Sequence, residues 1–515
     1  MNHYDSTTIH SVTVAGTTPG QGRRVSMAGP VRRTGQPHRQ PRGNALVAFV
    51  AAATVSCLIA TGSVARAAPP ANRAASSGDV RPARRMGEDW PRFLGPRDTG
   101  ISGEQGLLEK WPASGPPVLW SKRVGTGYSA PSVMGNRLVL FHRWGHEEAT
   151  ECYTADTGEF VWRHAAATDF EDPYGYNNGP RCSPLLTPDR CYTFGAQGRL
   201  TCLELQSGKP VWTRDTAADF NIPPAFFGVG STPILEGGRL IAMVGGQPDA
   251  GVVAFDAATG KTAWHNVGLK DWNDGGARYH RDDKLASYAS PLPVTIHGQR
   301  QVLCFMRPGL ISLDPANGRV LFSHFFRSVL RDSVNAARPV VVDDKIFLSA
   351  AYDVGAVLLH VAPDCRSVET VWRNEDCMQT HWSTSIYHGG FVYGFSGRHE
   401  PGSSLRCVDF NTGVVQWQTH DVNADDAPDP KAGLGATAPK FYGRGSAILA
   451  DGKLIVLAER GTLALVELNP RKFVELARVK YPQMHYPSWT APVLSHKRLY
   501  LRCEDHLLCL DLAQP

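Results

Sequence analysis

The sequence predicts an all-β fold, an eight-bladed propeller of four-stranded blades closed by pairing its N-terminal strand with its C-terminal blade. Three observations carry this: turn-rich composition, a motif recurring about every fifty residues, and chain ends that complement each other. The 515 residues include 51 Gly, 37 Pro and 12 Trp, a mixture that favours many short strands joined by turns over helices. At 42% hydrophobic and 20% charged, the chain is globular, and collagen-like, disordered and polytopic membrane classes are excluded.

Residues 1–67 read as an export leader. They hold Arg23, Arg24, Arg32, Arg33, Arg39, Arg42 and Arg66 against the single acid Asp5, and Ala45 to Val64 carry no charge. A basic segment, an apolar stretch and Ala65-Arg66-Ala67 make a signal peptide with a small-x-small cleavage site. An uncleaved membrane anchor is the rival, because twenty residues can span a bilayer. Residues 68–88, rich in Ala, Pro, Ser and Arg, read as a flexible linker, and 89–515 as the propeller domain. The formal charge of +5 belongs to the leader, since 68–515 hold 46 basic and 47 acidic residues. A neutral body gives no footprint for nucleic acid.

The clearest repeat runs from Ala254 to Trp264, with Asp256, Thr259 and Gly260 at the turn. Related copies end at Gly158/Trp162, Gly208/Trp212, Gly318/Phe322 and Gly413/Trp417, and a degenerate one with Val368 at the Gly position ends at Trp372. The spacings of 50, 52, 58, 50 and 45 residues match four-stranded blades. A second marker opens each unit: Ser129-Ala130-Pro131, Cys182-Ser183-Pro184, Ser231-Thr232-Pro233, Ala289-Ser290-Pro291, Ala337-Arg338-Pro339 and Thr490-Ala491-Pro492. Weaker copies stand at Ser383-Thr384-Ser385 and Gly445-Ser446-Ala447, which brings the count to eight. Cys509-Leu510-Asp511 starts a repeat that the chain does not finish, while Pro117-Val118-Leu119-Trp120 is a Trp strand without a preceding partner. Pairing the two completes the eighth blade and leaves no open sheet edge between first and last.

The repeat explains residues that otherwise look chemical. Trp120, Trp162, Trp212, Trp264, Trp372 and Trp417 occupy the position where an indole wedges between neighbouring sheets, with ligand stacking as the lesser alternative. Cys152, Cys202 and Cys407 each lie six residues before the turn Gly, and Cys509 matches them, so this is a small buried position and not a metal set. Cys503 and Cys509 flank a hairpin and form the most favoured disulfide pairing. No metal site is expected: His142 and His146 have helical zinc spacing but fall in β territory, on an expected exposed loop.

The A-x-D-x-x-T-G-x-x-x-W unit resembles the tryptophan-docking repeat of pyrroloquinoline-quinone (PQQ) propellers, from about Asp89 to the end and including Asp89-Trp90-Pro91-Arg92-Phe93-Leu94-Gly95-Pro96. It looks closest to exported PQQ-binding-like repeat proteins, related both to quinoprotein alcohol dehydrogenases and to BamB-like scaffolds. The dehydrogenase resemblance implies a quinone stacked between a Trp and a disulfide of adjacent cysteines, over calcium. The sequence has no Cys-Cys pair, and its calcium candidates Glu147, Asn177, Asn335 and Asp353 form no contiguous loop. No catalytic residue is assigned. No cofactor is expected, with PQQ and calcium as the alternative.

Propellers bind at the ring mouth, where residues preceding each first strand converge: Tyr128, Arg181, Phe227, Tyr288, Asn335, His381 with Trp382, Arg444 and Trp489. Longer loops add Arg143, Glu147, Tyr176, Asn178, His399 and Glu400. Such residues suit a polar ligand or an envelope protein partner, or else simply fill the channel. The first functional reading is an exported, periplasmic or envelope binding scaffold without chemistry. The second is a PQQ-dependent dehydrogenase with a divergent site, and the third a two-carboxylate enzyme using Glu147 and Glu400.

Overall fold

The computed structural model describes residues 87–514 apart from 224–226, 273–287, 331, 401 and 420–441. The chain divides into units Met1–Val80 and Arg81–Pro515, and every described residue belongs to the second. The expected leader and most of the linker lie outside the described residues. Among the described residues, no helix is long and apolar enough to cross a membrane.

Among the described residues, thirty-two antiparallel strands form eight four-stranded sheets, the blades of an eight-bladed propeller. Blades 1 to 7 take consecutive strands within residues 132–167, 185–215, 234–265, 292–325, 340–374, 386–418 and 445–480. In blade 8 the strand Val118–Arg123 adds to the outside of His506–Asp511, with Trp120 opposite Cys509. This is the closure expected from the chain ends.

The docking expectation is met in detail. The indole N–H groups of Trp120, Trp162, Trp212, Trp264, Trp372 and Trp417 donate to the carbonyls of Ala155, Leu205, Ala257, Pro315, Phe410 and Asn469, each in the next blade, at 2.7–3.3 Å. Five of the rings lie over the next blade's turn glycine. At Gly208, φ is +70° and an added Cβ would stand 2.4 Å from the Trp162 ring. The turn therefore needs glycine twice, for the left-handed backbone and for the ring. The small position before the turn faces the Trp across a bulge, as Cys152 faces Trp162 and Cys202 faces Trp212. Blade 4 offers Phe322 instead of Trp, and the blade 5 turn it meets is the copy that lacks Gly; Phe322 and Cys365 share one core there. In blade 7, Ala477 stands at the Trp register, and Trp111 packs against the same core.

The proline-associated markers do more than open strands. The hydroxyls of Ser183, Thr232 and Ser290 accept the backbone N–H of Ala130, Ser183 and Thr232, linking blades 1 to 4 around the channel.

Two sequence expectations are corrected. All ten described cysteines are free thiols, because the hairpin register sets Cys509 opposite Tyr500, while the Cys503 N–H bonds the His506 carbonyl. His142 is not on an exposed loop: it sits in the strand Arg137–Trp144, fully buried. Its Nδ1 accepts the Gly125 N–H at 2.8 Å and its Nε2 lies 3.1 Å from Glu151. Burial holds its pKa low, so the ring is a neutral internal crosslink.

Candidate functional site

The segment 90–101, ahead of the first blade, closes one end of the channel. Trp90 bridges to Val133 of blade 1, the Leu186 N–H of blade 2 donates to the Pro91 carbonyl, and Ile101 bridges to Leu449 of blade 7. Arg338, where the other blades carry Ser, Thr or Ala, anchors its middle: Nη1 reaches Asp98 Oδ1 at 3.1 Å and Nη2 the Pro291 carbonyl at 2.7 Å. Both side chains are buried. A buried arginine is tolerable only when charge and hydrogen bonds are matched, and this one also lies over the Phe93 ring.

Above this plug is a cavity of about 350 Å³. Phe93 and Leu94 form its floor. Small residues of the inner strands, among them Ala130, Thr232, Ser290, Thr384 and Ala447, form the walls. The mouth is a band of rings from seven blades: Tyr128, Tyr174, Tyr176, Phe227, Tyr288, Tyr352, His381, Trp382 and Trp489. They contact one another in sequence, with centroid separations of 5.0 Å for Tyr128/Trp489, 5.2 Å for Trp382/Trp489 and 5.3 Å for Phe227/Tyr288. Tilted and edge contacts of this kind fix ring orientation.

Three arginines join the lining, each against a ring. Arg181 lies over Tyr128 and Phe227, Arg444 over Trp382 and Trp489, and Arg398 over Tyr352 at 4.4 Å. Two of them are tied down. Arg181 pairs with buried Asp172 at 2.8 Å. Arg444 pairs with buried Glu459 at 2.8 Å, and Glu459 also accepts the Trp489 indole N–H at 3.0 Å. Arg398 has no carboxylate partner among the described residues. Burial pushes the His381 pKa down to about 3, with Arg444 and Arg398 also opposing its charge. His381 is therefore neutral, with Nε2 3.2 Å from the Tyr352 hydroxyl. Its Nδ1 and the Trp382 indole nitrogen have no hydrogen-bond partner among the described residues. Burial likewise raises Tyr288, to about 12, so it stays a neutral phenol. Asp332 is the one carboxylate among the described lining residues.

The structure thus brings together Tyr128, Tyr176, Arg181, His381, Trp382, Arg444 and Trp489, along with Phe227, Tyr288 and His399. It places the other expected mouth residues elsewhere. Arg143 is buried and braces a loop through the Gly145, Phe170 and Asn178 carbonyls. Asn335 is buried, its amide donating to the Met306 and Phe326 carbonyls. Glu147 pairs with Arg163 on blade 1 and Glu400 with Arg460, and neither lines the cavity, so they do not form a two-carboxylate site. Asn178 is held within its own loop by Asp172. Sequence reasoning missed Arg398, Tyr174 and Tyr352. Arg398 stands beside His399, which was selected, and Tyr174 beside Tyr176 in the same loop; Tyr352 lies in a hairpin no motif marks.

Calcium and a stacked quinone require a cluster of oxygen ligands beneath two flat faces. None of Glu147, Asn177, Asn335 and Asp353 lines the cavity, and Asn177 is engaged with Glu504 at 2.6 Å. One carboxylate does not make a calcium shell of six to eight oxygens. Trp382 and Trp489 offer flat faces, but the adjacent-cysteine half of the sandwich is absent from the sequence. The set does not fit calcium-bound quinone.

Residues 146–419 match the family model described as outer membrane protein assembly factor BamB. No curated protein matches the sequence. Among solved structures, BamB from Moraxella catarrhalis is similar at 14% identity and a TM-score of 0.53, covering 78% of this chain and 98% of that one. The quinohemoprotein alcohol dehydrogenase of Comamonas testosteroni aligns at 12% identity and a TM-score of 0.57, covering 83% and 81%. The computationally designed Ika8 protein aligns at 10% identity and a TM-score of 0.50, covering 79% and 100%. At these identities, the structural likenesses establish the fold alone.

Proposed function

The chain belongs to the PQQ-like propeller family described as outer membrane protein assembly factor BamB, and on that premise we propose that it is an exported, non-catalytic binding scaffold of the cell envelope. Its guest is an anionic group of a ligand or partner protein, seated in the blind channel. One observation carries the reading: Arg398, which has no carboxylate partner among the described residues, stands in a ring-lined cavity whose described lining has a single carboxylate. Rings exclude water and arginines supply directed donors, a combination suited to holding a carboxylate or phosphate group without transforming it. The basic, apolar leader supports export. The dehydrogenase alternative draws on the shared fold, but the residues lining the cavity do not fit a calcium-bound quinone.

The test uses 8-anilinonaphthalene-1-sulfonate, an anionic aromatic dye, as a probe of the cavity. Its fluorescence enhancement is expected to weaken several-fold in Arg398→Ala, at unchanged melting temperature, and to decline with salt. Binding unaffected by Arg398→Ala would refute the cavity as the site. Dye-linked alcohol oxidation after reconstitution with PQQ and calcium would overturn the non-catalytic reading.

A further inference from the structure

Where blade 8 meets the loop arriving from blade 7, four side chains with metal-binding chemistry converge. One ligand atom from each of His485, Cys503, Asp505 and His506 lies within 4.8 Å of all the others. Cys503 follows the strand Arg498–Arg502, Asp505 precedes the strand His506–Asp511, which His506 opens, and His485 belongs to the inter-blade loop. Cys503 Sγ stands 3.6 Å from His485 Nε2 and 3.8 Å from Asp505 Oδ1. Asp505 Oδ1 lies 2.7 Å from His485 Nε2 and 2.8 Å from His506 Nδ1.

These are close to the edges of a zinc tetrahedron. With zinc–sulfur near 2.3 Å and zinc–nitrogen near 2.0 Å, sulfur-to-nitrogen edges come to about 3.6 Å and nitrogen-to-oxygen edges to about 3.3 Å. The Cys503–His485 edge already has that length, and the Cys503–Asp505 edge of 3.8 Å is slightly longer. The carboxylate edges are drawn in to hydrogen-bond distance and open by about half an ångström to admit an ion.

The other side of the His485 ring supplies a separate observation. Its Nδ1 is 3.0 Å from the Tyr486 carbonyl, so Nδ1 carries the proton and Nε2 is aimed into the cluster. Metal-ligating histidines are oriented in this way, with the second ring N–H on a carbonyl. The Cys503 thiol also donates to the Gln483 carbonyl at 3.4 Å, so the sulfur is held at the edge of the cluster with one lone-pair face towards His485 and Asp505. The other three ligands are partly exposed, which gives an ion a route in.

We propose that His485, Cys503, Asp505 and His506 form a tetrahedral site for a borderline divalent cation of the zinc class. One thiolate, two imidazoles and one carboxylate select such an ion over calcium or magnesium. Binding forms bonds from the metal to Cys503 Sγ and His485 Nε2, and the thiol proton and the proton that His485 Nε2 shares with Asp505 leave to solvent. The ion tethers the inter-blade loop to the blade 8 hairpin. That loop carries Trp489, and Glu504 in the hairpin holds Asn177 of the loop bearing Tyr176 and Arg181, so the site braces two sides of the cavity mouth. The assignment stands independently of what the cavity binds.

The full chain, stripped with a chelator, is titrated with Zn²⁺ against a chromophoric competitor and separately with Co²⁺ by absorption spectroscopy. The expected result is one equivalent bound, with a thiolate-to-cobalt charge-transfer band and the intense visible bands of a tetrahedral ion. Cys503→Ser removes the charge-transfer band and weakens Zn²⁺ more than about 100-fold, beyond the 10–100-fold cost of outer-shell changes. His485→Gln, at a partly exposed loop position that tolerates substitution, weakens it likewise, and His388→Ala on exposed blade 6 leaves it unchanged. The proposal is overturned by failure to bind stoichiometric Zn²⁺ at micromolar concentration, by a six-coordinate cobalt spectrum, or by equal affinity in Cys503→Ser.

Discussion

Replacing Arg444 with Met separates the two roles this residue holds, as a face of the cavity and as the counter-ion of Glu459. The Glu459 side chain is 0% exposed. Its oxygens accept the Arg444 backbone N–H at 2.7 Å, Arg444 Nη2 at 2.8 Å, Arg444 Nε at 3.0 Å and the Trp489 indole at 3.0 Å. Arg444→Met keeps the length of the side chain and much of its packing on Trp382 and Trp489, but removes the charge and two of the donors. A buried carboxylate that loses its partner costs about 3–5 kcal/mol, far more than the lost packing. Arg444→Met/Glu459→Gln removes the stranded charge and is expected to recover at least about 2 kcal/mol of that. Urea denaturation followed by tryptophan fluorescence measures both. If Arg444→Met lies within about 1 kcal/mol of the parent, or the double-mutant cycle gives no coupling, the pair is screened by solvent and the reasoning is wrong. The same argument makes Arg398, with no such partner among the described residues, the cleaner probe of binding.

The docking turn gives a paired test. Gly389→Ala, at φ +57° with open space around it, should cost about 1–2 kcal/mol for the left-handed backbone. Gly208→Ala should cost about 1–3 kcal/mol more because it also displaces Trp162, and equal losses would count against ring-on-glycine docking. His381 predicts an acid limb. Its folded pKa is depressed from about 6.5 to about 3, so the unfolded chain takes up the proton first as pH falls. Stability is full above pH 6.5 and declines towards pH 3, by at most about 1.4 kcal/mol per unit from this group. His381→Gln should flatten denaturation midpoints between pH 6.5 and 4; an unchanged slope would show that the ring is solvated.

The blade count, the closure and the docking role of Trp120 through Trp417 were legible because each depends on a few residues at fixed spacing. So was the convergence of Tyr128, Arg181, Trp382 and Trp489, since every residue just ahead of an inner strand must reach the same channel end. Asn335 obeys the same positional rule yet turns away, and Arg143, expected from a longer loop, does likewise, because nearby carbonyls capture donors that sequence position does not reveal. The choice of Cys503 and Cys509 as a disulfide fell to hairpin register: three residues along a ladder is a distance sulfur cannot bridge. Arg338 sits inside an ordinary copy of the strand-opening marker, and the reason for its charge lies 240 residues away in Asp98.

By itself, the sequence determined the ring. Periodic turn glycines, docking indoles and two half-blades are local signals, and a closed array of like sheets is what satisfies them all. Tertiary structure decided what the ring encloses: a plug that makes the channel blind, which arginines are spent on buried carboxylates, and a His₂CysAsp cluster gathered from two adjoining loops. Those outcomes depend on side-chain directions and on charge pairs made across the closed ring, and pairing energies of that kind leave no periodic trace in the chain.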